Sequence, residues 1–252
     1  MSSHWDFYFS NVNNSPASIF VDLGLREIAP SANNPWLLWV WVQFNHPRED
    51  GLSSTEESAV LLQIEDSLTE AVGSAVNGFP AGRITTDGRR EFYFYGPTFA
   101  GFDDAVARGM ELFPKYKWES GTQEDADWNQ YIEVLYPTPR DWQRLNNRHV
   151  IEQLQSHGDP LTRERPVFHW ACFPNEASRS RFVAGVRNLG FAVTDEGTVD
   201  EPNCRHPFSV SFERVDKVDW HSINEVTIEL FELTNSLAGE YDGWETSVEA
   251  EE

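Results

Sequence analysis

Trp5, Phe7 and Phe9 alternate with Asp6, Tyr8 and Ser10, which is the period-two pattern of a strand. Asn13-Asn14-Ser15-Pro16 forms a turn cluster, and Ile19 to Leu25 reads as a second strand. Trp36 to Val42 is continuously apolar, as expected of a strand covered on both faces. The pattern then changes period. Ser54 and Glu57 have capping-box spacing, and Leu61, Ile64, Leu68, Val72 and Ala75 form one helical stripe behind them. The segment Arg83 to Tyr95 reads as a hairpin turning at Asp87-Gly88, since Asp-Gly suits the two positive-φ positions of a type I′ turn. A helix is expected after Phe102, with Asp103 near its cap and Val106, Met110 and Phe113 inward. Strands near Lys115–Gly121 and Trp128–Tyr136 are expected to close this half.

Pro137-Thr138-Pro139 interrupts any strand and stiffens a short linker, so the predicted boundary separates residues 1–137 from 138–252. A helix from Asp141 to about Ser156 ends at His157-Gly158-Asp159-Pro160. Next come a strand (Val167 to Phe173), a helix capped by Asn175 with Phe182, Val186 and Leu189 inward, and a stop at Gly190. Strands follow at Phe191 to Val199 and around Phe208, Val210 and Phe212. Asp219 caps a long helix with Ile223, Val226, Leu230, Leu233 and Leu237 on one stripe, which Gly239 ends before a last strand from Glu240 to Val248. Strand, helix, strand, strand, helix, strand is the ferredoxin-like plan. The first half, from Trp36, has a similar order with added strands. The expected fold is therefore α+β: two tandem ferredoxin-like α/β sandwiches with antiparallel sheets.

Composition supports packed cores, with 40% hydrophobic and 13% aromatic residues in 252. The formal net charge is −22. Up to Pro137 there are 8 basic and 20 acidic residues (−12), and beyond it 11 and 21 (−10), so both halves are acidic. Such a surface repels phosphate backbones and favours basic partners, which makes nucleic acid an unfavoured ligand. Two cysteines, Cys172 and Cys204, make no disulfide framework and suit a reducing cytoplasm. Met1 to Asp6 has neither the basic nor the apolar region of a secretory signal, and Trp36–Val42 is too short to span a bilayer, so no membrane association is expected.

Catalytic and metal-binding patterns are weak. His169, Cys172, Cys204 and His206 offer two His and two Cys, but residues 169 and 172 face opposite sides of a regular strand. Glu240 and Asp242 share a strand face without the cross-cleft geometry of a glycosidase pair. There is no G-x-S-x-G, P-loop or G-x-G-x-x-G. No cofactor is expected, and the chain does not read as an enzyme. Arg90 to Tyr95 carries aromatics reminiscent of an RNA-recognition strand, so an RNA-binding sheet is the alternative reading. The plain reading of the same strand, which the acidic charge favours, is that Phe92 and Phe94 face the core and Tyr93 and Tyr95 the other side.

Four pieces carry a family resemblance: Gly158-Asp159-Pro160, His169-Trp170, Leu189-Gly190-Phe191-Ala192-Val193-Thr194-Asp195, and Glu240-Tyr241-Asp242-Gly243-Trp244. From about Asp141 onward the chain resembles the bacterial regulator of ribonuclease E activity B family. The resemblance implies a ferredoxin-like, non-catalytic protein that binds ribonuclease E, or another basic protein, and lowers its activity. The chain departs from the family's named member in its short acidic end, Glu249-Ala250-Glu251-Glu252, and in the extra domain that precedes the match. The first half resembles the bacterial domain of unknown function 695 family in Glu56-Glu57, Gly82-Arg83-Ile84-Thr85 and Arg90 to Tyr95. The expected partner-binding residues are Glu240, Tyr241, Asp242 and Trp244, with His169 and Trp170 nearby. Their carboxylates suit an Arg- or Lys-bearing peptide. Tyr241 and Trp244 equally fit aromatics packed between sheet and helix over a bulge at Gly243.

Overall fold

The computed structural model describes residues 4–198 and 204–250. Val199, the expected end of the strand from Phe191, and Glu251 and Glu252 lie outside the described residues. The chain divides between Thr138 and Pro139 into two compact units.

In the first unit the strands are β1 (Trp5–Val12), β2 (Ser15–Asp22), β3 (Trp36–Gln43), β4 (Phe79–Thr86), β5 (Arg89–Gly96) and β6 (Trp118–Glu124). Its helices are α1 (Thr55–Val76) and α2 (Phe102–Met110). The six strands form one antiparallel sheet in the order β1-β2-β4-β5-β3-β6. Leu38, Val40 and Val42 of β3 and Phe92 and Phe94 of β5 pack against Leu61, Ile64, Leu68 and Val72 of α1 and Val106 and Met110 of α2. The β4–β5 turn has positive φ at both Asp87 and Gly88, as the Asp-Gly pair requires. Ser54 Oγ accepts from Glu57 N at 3.2 Å, but the Glu57 carboxylate does not return to the cap. It accepts the backbone N–H groups of Asn45 and His46 instead, at 3.1 and 3.0 Å, tying the helix start to the loop after β3.

Three expectations are corrected here. Val76, not Ala75, is the last buried residue of α1, and Ala75 is exposed. In β1 the deeply buried side chain is Tyr8, while Phe9 is 42% exposed. The segment expected as a strand at Trp128–Tyr136 is a π-helix over Gln130–Leu135. Trp128 sits at φ 57°, its ring stacked 4.1 Å from Tyr95. Asp125 holds the turn by accepting the Tyr95 hydroxyl (2.5 Å) and the backbone N–H groups of Asn129 (2.8 Å) and Gln130 (3.1 Å). It buries Tyr131 and Leu135 while Glu133 between them is exposed, which is helical rather than period-two patterning.

The second unit consists of α3 (Pro139–Ser156), β7 (Arg165–Phe173), α4 (Glu176–Asn188), β8 (Ala192–Thr198), β9 (Phe208–Asp216), α5 (Trp220–Ser236) and β10 (Glu240–Thr246). Its antiparallel sheet is ordered β10-β7-β9-β8. This is the ferredoxin-like arrangement with α3 added in front. The first unit repeats it: β4-β5-β3-β6 corresponds to β8-β9-β7-β10, and the β1–β2 hairpin extends the sheet beyond β4. Asn175 and Asp219 cap α4 and α5 through their side chains, as expected. Helices α3, α4 and α5 end alike: Asp159 N, Phe191 N and Gly239 N reach back to the carbonyls of Leu154, Val186 and Thr234 at 3.1, 3.0 and 3.0 Å, the long bond of a Schellman turn.

The residue that takes positive φ in these turns is Gly158, Gly190 and, after α5, Ala238. Gly239 therefore has a different task from the one its position suggests. A Cβ there would lie 2.5 Å from the Phe173 ring and 2.8 Å from the Cys172 carbonyl, so glycine permits a close approach of backbone to β7.

Candidate functional site

The central strand β7 and the edge strand β10 carry all six residues expected to bind a partner. The register pairs Glu240 with Cys172, Tyr241 with Ala171, Gly243 with Trp170 and Trp244 with His169, and a bulge leaves Asp242 as the extra residue. Gly243, at φ 105°, occupies the conformation that the bulge needs. The strands thus bring the six together but distribute them over two faces.

His169, Tyr241 and Trp244 point under the helices and are buried. His169 Nδ1 and the Tyr241 hydroxyl share a hydrogen bond of 2.8 Å, while Nε2 has no partner. The imidazole stacks on Phe212 (5.4 Å between centroids) and meets Phe191 edge-on (5.5 Å). Burial, assisted by the charge of Arg214, pushes its pKa down to about 3, so the ring is neutral. Burial also raises the Tyr241 phenol well above its ordinary value. Trp244 Nε1 donates to Asn147 Oδ1 (2.8 Å), and the Asn147 amide donates to Asn224 Oδ1 (2.9 Å) and Thr227 Oγ1 (2.7 Å), fastening α3, α5 and β10 together. Tyr241 and Trp244, the expected anchors, and His169 beside them are mostly buried in the core, although Tyr241 and Trp244 also line a cavity with Asp242, Gly243 and Gln143 of α3. An aromatic at an inward strand position has the same sequence signature as a hot spot at an outward one.

Trp170, Glu240 and Asp242 lie outside that core; Glu240 and Asp242 are exposed and Trp170 is half-buried. Glu240 Oε2 is 3.2 Å from His206 Nδ1. Cys172, on the opposite face from His169 as strand parity requires, shares a shallow cleft with Cys204, His206, Glu240 and Asp242. Burial, and then the charges of Asp242 and Glu240, raise the Cys172 thiol pKa and keep it protonated. Among the described residues no group of three or more His, Cys, Asp or Glu could hold a metal ion.

The tyrosines of the RNA-binding alternative are also interior. Phe92 and Phe94 belong to the helix-side core, and Tyr93 and Tyr95 are buried on the other side, donating to Glu91 and Asp125 at 2.5 Å each. Stacking on these two rings is blocked by the packing that covers them.

The model of a family of unknown function, DUF695, matches residues 3–136, more than half the chain. The chain belongs to that family. Residues 144–246 match the model described as regulator of ribonuclease activity B, so each half carries the resemblance that its motifs suggested. No curated protein matches the chain. Among solved structures, an unknown protein from Galdieria sulphuraria is similar over 85% of this chain and 99% of its own, at 10% identity and a TM-score of 0.24, a likeness too low to carry an argument.

The structure explains the regulator-like pieces physically. Gly158-Asp159 closes α3, and the Asp159 carboxylate then clamps Arg165 in a bidentate ion pair, with Nη2 to Oδ1 at 2.9 Å and Nη1 on Oδ2. Asp159 also accepts Leu161 N (2.8 Å) and Glu249 N (2.9 Å), while Arg165 donates to the Ser247 carbonyl (3.0 Å). The Arg165 guanidinium beside it holds the Asp159 carboxyl well below the usual carboxylate range. Sequence reasoning missed the Asn147 network and the bonds that tie the Asp159–Arg165 pair to Ser247 and Glu249, since these join residues about 80 to 100 positions apart across the fold; the pair itself spans only six residues. The outward positions of β9, Ser209, Ser211 and Glu213, follow from their alternation with Phe208, Val210 and Phe212, whereas those of β7 needed the same count anchored on Val167, Ala171 and Phe173.

Proposed function

We propose that the protein is a non-catalytic, cytoplasmic regulator that binds a ribonuclease through its second unit, with ribonuclease E or a relative as the partner and inhibition as the effect. The observation that carries this reading is the match of residues 144–246 to the regulator of ribonuclease activity B model, on a unit with the ferredoxin-like strand order. The chemistry of the unit is consistent with it. Its one buried histidine is held neutral in an aromatic core, and its most perturbed carboxylate is locked to an arginine. Both groups hold the fold together and neither is poised for proton transfer. A net charge of −22 supports a basic polypeptide as partner and disfavours RNA. The 3–136 unit is read as a separate module attached to this regulator.

The test is direct. The full chain is added to ribonuclease E cleaving a fluorogenic RNA, and association is followed by co-precipitation. Lowered cleavage together with a stable complex is expected. Unchanged cleavage and no association refute the reading.

A further inference from the structure

We propose that the helix-free face of the second unit's sheet receives an arginine-bearing segment of the protein partner, with Phe168 and Trp170 as the floor and Glu213 and Glu245 as the flanking carboxylates. The proposal rests on the reading that the partner is a protein.

Strand β7 runs through the middle of the sheet, and its side chains alternate strictly. Val167, His169, Ala171 and Phe173 are buried under the helices, so Pro166, Phe168, Trp170 and Cys172 turn the other way. The ladders place Val215, Glu213, Ser211 and Ser209 of β9 beside these four, in that order. On the opposite side, Glu245 of β10 is registered with Phe168, and Glu240 with Cys172. Phe168 therefore stands between two carboxylates, each directly across a strand pair. Gly243 faces Trp170 and leaves the flank of the indole without a neighbouring side chain. Asp195 of β8 lies beyond Ser211. Phe168 is 37% exposed and Val215 is 58% exposed, so this face is open. Its strands contribute no lysine or arginine to it: Arg165 points inward to Asp159, and Arg214 lies over Phe191 on the helix side.

The chain shows elsewhere what such a set binds. Arg83 lies over the Phe20 ring at 4.2 Å and pairs with Glu65. Arg89 lies over Trp41 at 4.5 Å and pairs with Glu91 at 2.6 Å. Arg214 lies over Phe191 at 4.1 Å and pairs with Asp216 at 2.9 Å. Arg179 lies over Phe208 at 5.5 Å and pairs with Glu196 at 3.3 Å. In each case an aromatic face and at least one carboxylate hold one guanidinium; Arg89 and Arg179 each have a second, Asp87 at 4.0 Å and Glu176 at 3.7 Å. The Phe168 set has the ring and two carboxylates, but its strands supply no cation. Guanidinium is the matching group because it is planar, weakly hydrated, able to stack on a ring and able to fork to a carboxylate, whereas an ammonium is a compact, strongly hydrated charge. A nucleic acid would find the same aromatic floor, but its phosphates would meet the carboxylates.

The experiment uses the full chain and two fluorescein-labelled peptides of equal length and charge, one arginine-rich and one lysine-rich, followed by anisotropy at low and physiological salt. Tight binding of the arginine peptide is expected, about tenfold over the lysine peptide. Phe168→Ala and the Glu213→Gln/Glu245→Gln pair should each weaken it about tenfold, with the charge variant also flattening the salt dependence. Glu→Gln at the exposed Glu245 and the half-buried Glu213 is isosteric and preserves the fold, which circular dichroism checks. Equal binding of both peptides, arginine-peptide affinity unmoved by both variants, or preferential binding of single-stranded RNA would each overturn the proposal. The two readings separate in one further measurement. If the chain binds ribonuclease E and both variants bind it equally well, this surface is wrong and the regulator reading stands. If ribonuclease E is ignored while the arginine peptide binds in a Phe168-dependent way, the surface stands and that partner falls.

Discussion

His169 should make the second unit lose stability as pH falls, in a window that isolates it. In the folded unit its imidazole is neutral, with a pKa pushed down to about 3 by burial and by Arg214. In the unfolded chain it titrates near 6.5. A depressed folded pKa means that the unfolded state takes up the proton first. The contribution is fully present above about pH 6.5 and is lost progressively as pH falls toward the folded value. Between pH 7 and pH 5 the unfolded ring gains most of a proton and the folded ring almost none, which removes about 2 kcal/mol. The perturbation is the pair His169→Phe/Tyr241→Phe, which replaces ring with ring and removes both partners of the 2.8 Å hydrogen bond, so that neither is left unpaired. The readout is native-state hydrogen exchange of β7 and β9 amides, which reports the opening free energy of this unit alone. The native protein should lose about 2 kcal/mol more than the double variant between pH 7 and pH 5. Any overpacking by phenylalanine shifts the whole curve and leaves this difference intact. The other six histidines are common to both proteins and cancel. The same pH dependence in both would refute the assignment of a buried, neutral His169.

Asp159→Ala should destabilise the second unit by about 3–5 kcal/mol in urea unfolding, because it strands the buried Arg165 charge. Asp159→Leu/Arg165→Met should cost much less, and equal losses would show that the pair is not buried as a unit. The Asp159 contribution is present above its ordinary carboxylate pKa and is lost as pH falls below it, beneath the pH 7 to 5 interval that tests His169. Ala238→Gly should raise stability by up to about 1 kcal/mol, since a left-handed conformation strains alanine and not glycine. Gly239→Ala, one residue on, should lower stability by about 1–3 kcal/mol through its clash with Phe173, and thermal melts of both variants would expose a reversed order. Trp244→Phe should cost about 1–3 kcal/mol by leaving Asn147 Oδ1 without its donor, measured against Trp244→Phe/Asn147→Leu as the compensated control.

Most elements were legible because their signals are local. The Asp87-Gly88 turn, the caps at Ser54, Asn175 and Asp219, and the stripes of α1 and α5 each follow from a few consecutive residues and their backbone preferences. The failure at Trp128–Tyr136 was also instructive. Its apolar residues fit a strand, but Asp125 and Tyr95, 30 residues apart, capture its backbone and turn it into a π-helix. The expected site was half legible. Sequence placed Glu240, Tyr241, Asp242, Trp244, His169 and Trp170 on two strands that turned out to be neighbours. It could not assign their faces, because inward and outward aromatics have the same composition until strand parity and the bulge at Gly243 are fixed by pairing.

By itself, then, the sequence determined the α+β class, the alternation of elements, the acidic character of both halves and the two family resemblances. These are properties of short-range pattern, total charge and motif, and none needs a partner from far along the chain. Tertiary structure alone decided which side of each strand is covered, that His169 and Asp159 are stabilising groups, and that Phe168 stands between Glu213 and Glu245. Those outcomes depend on strand register, and register is settled only when distant segments pair and bury one face together.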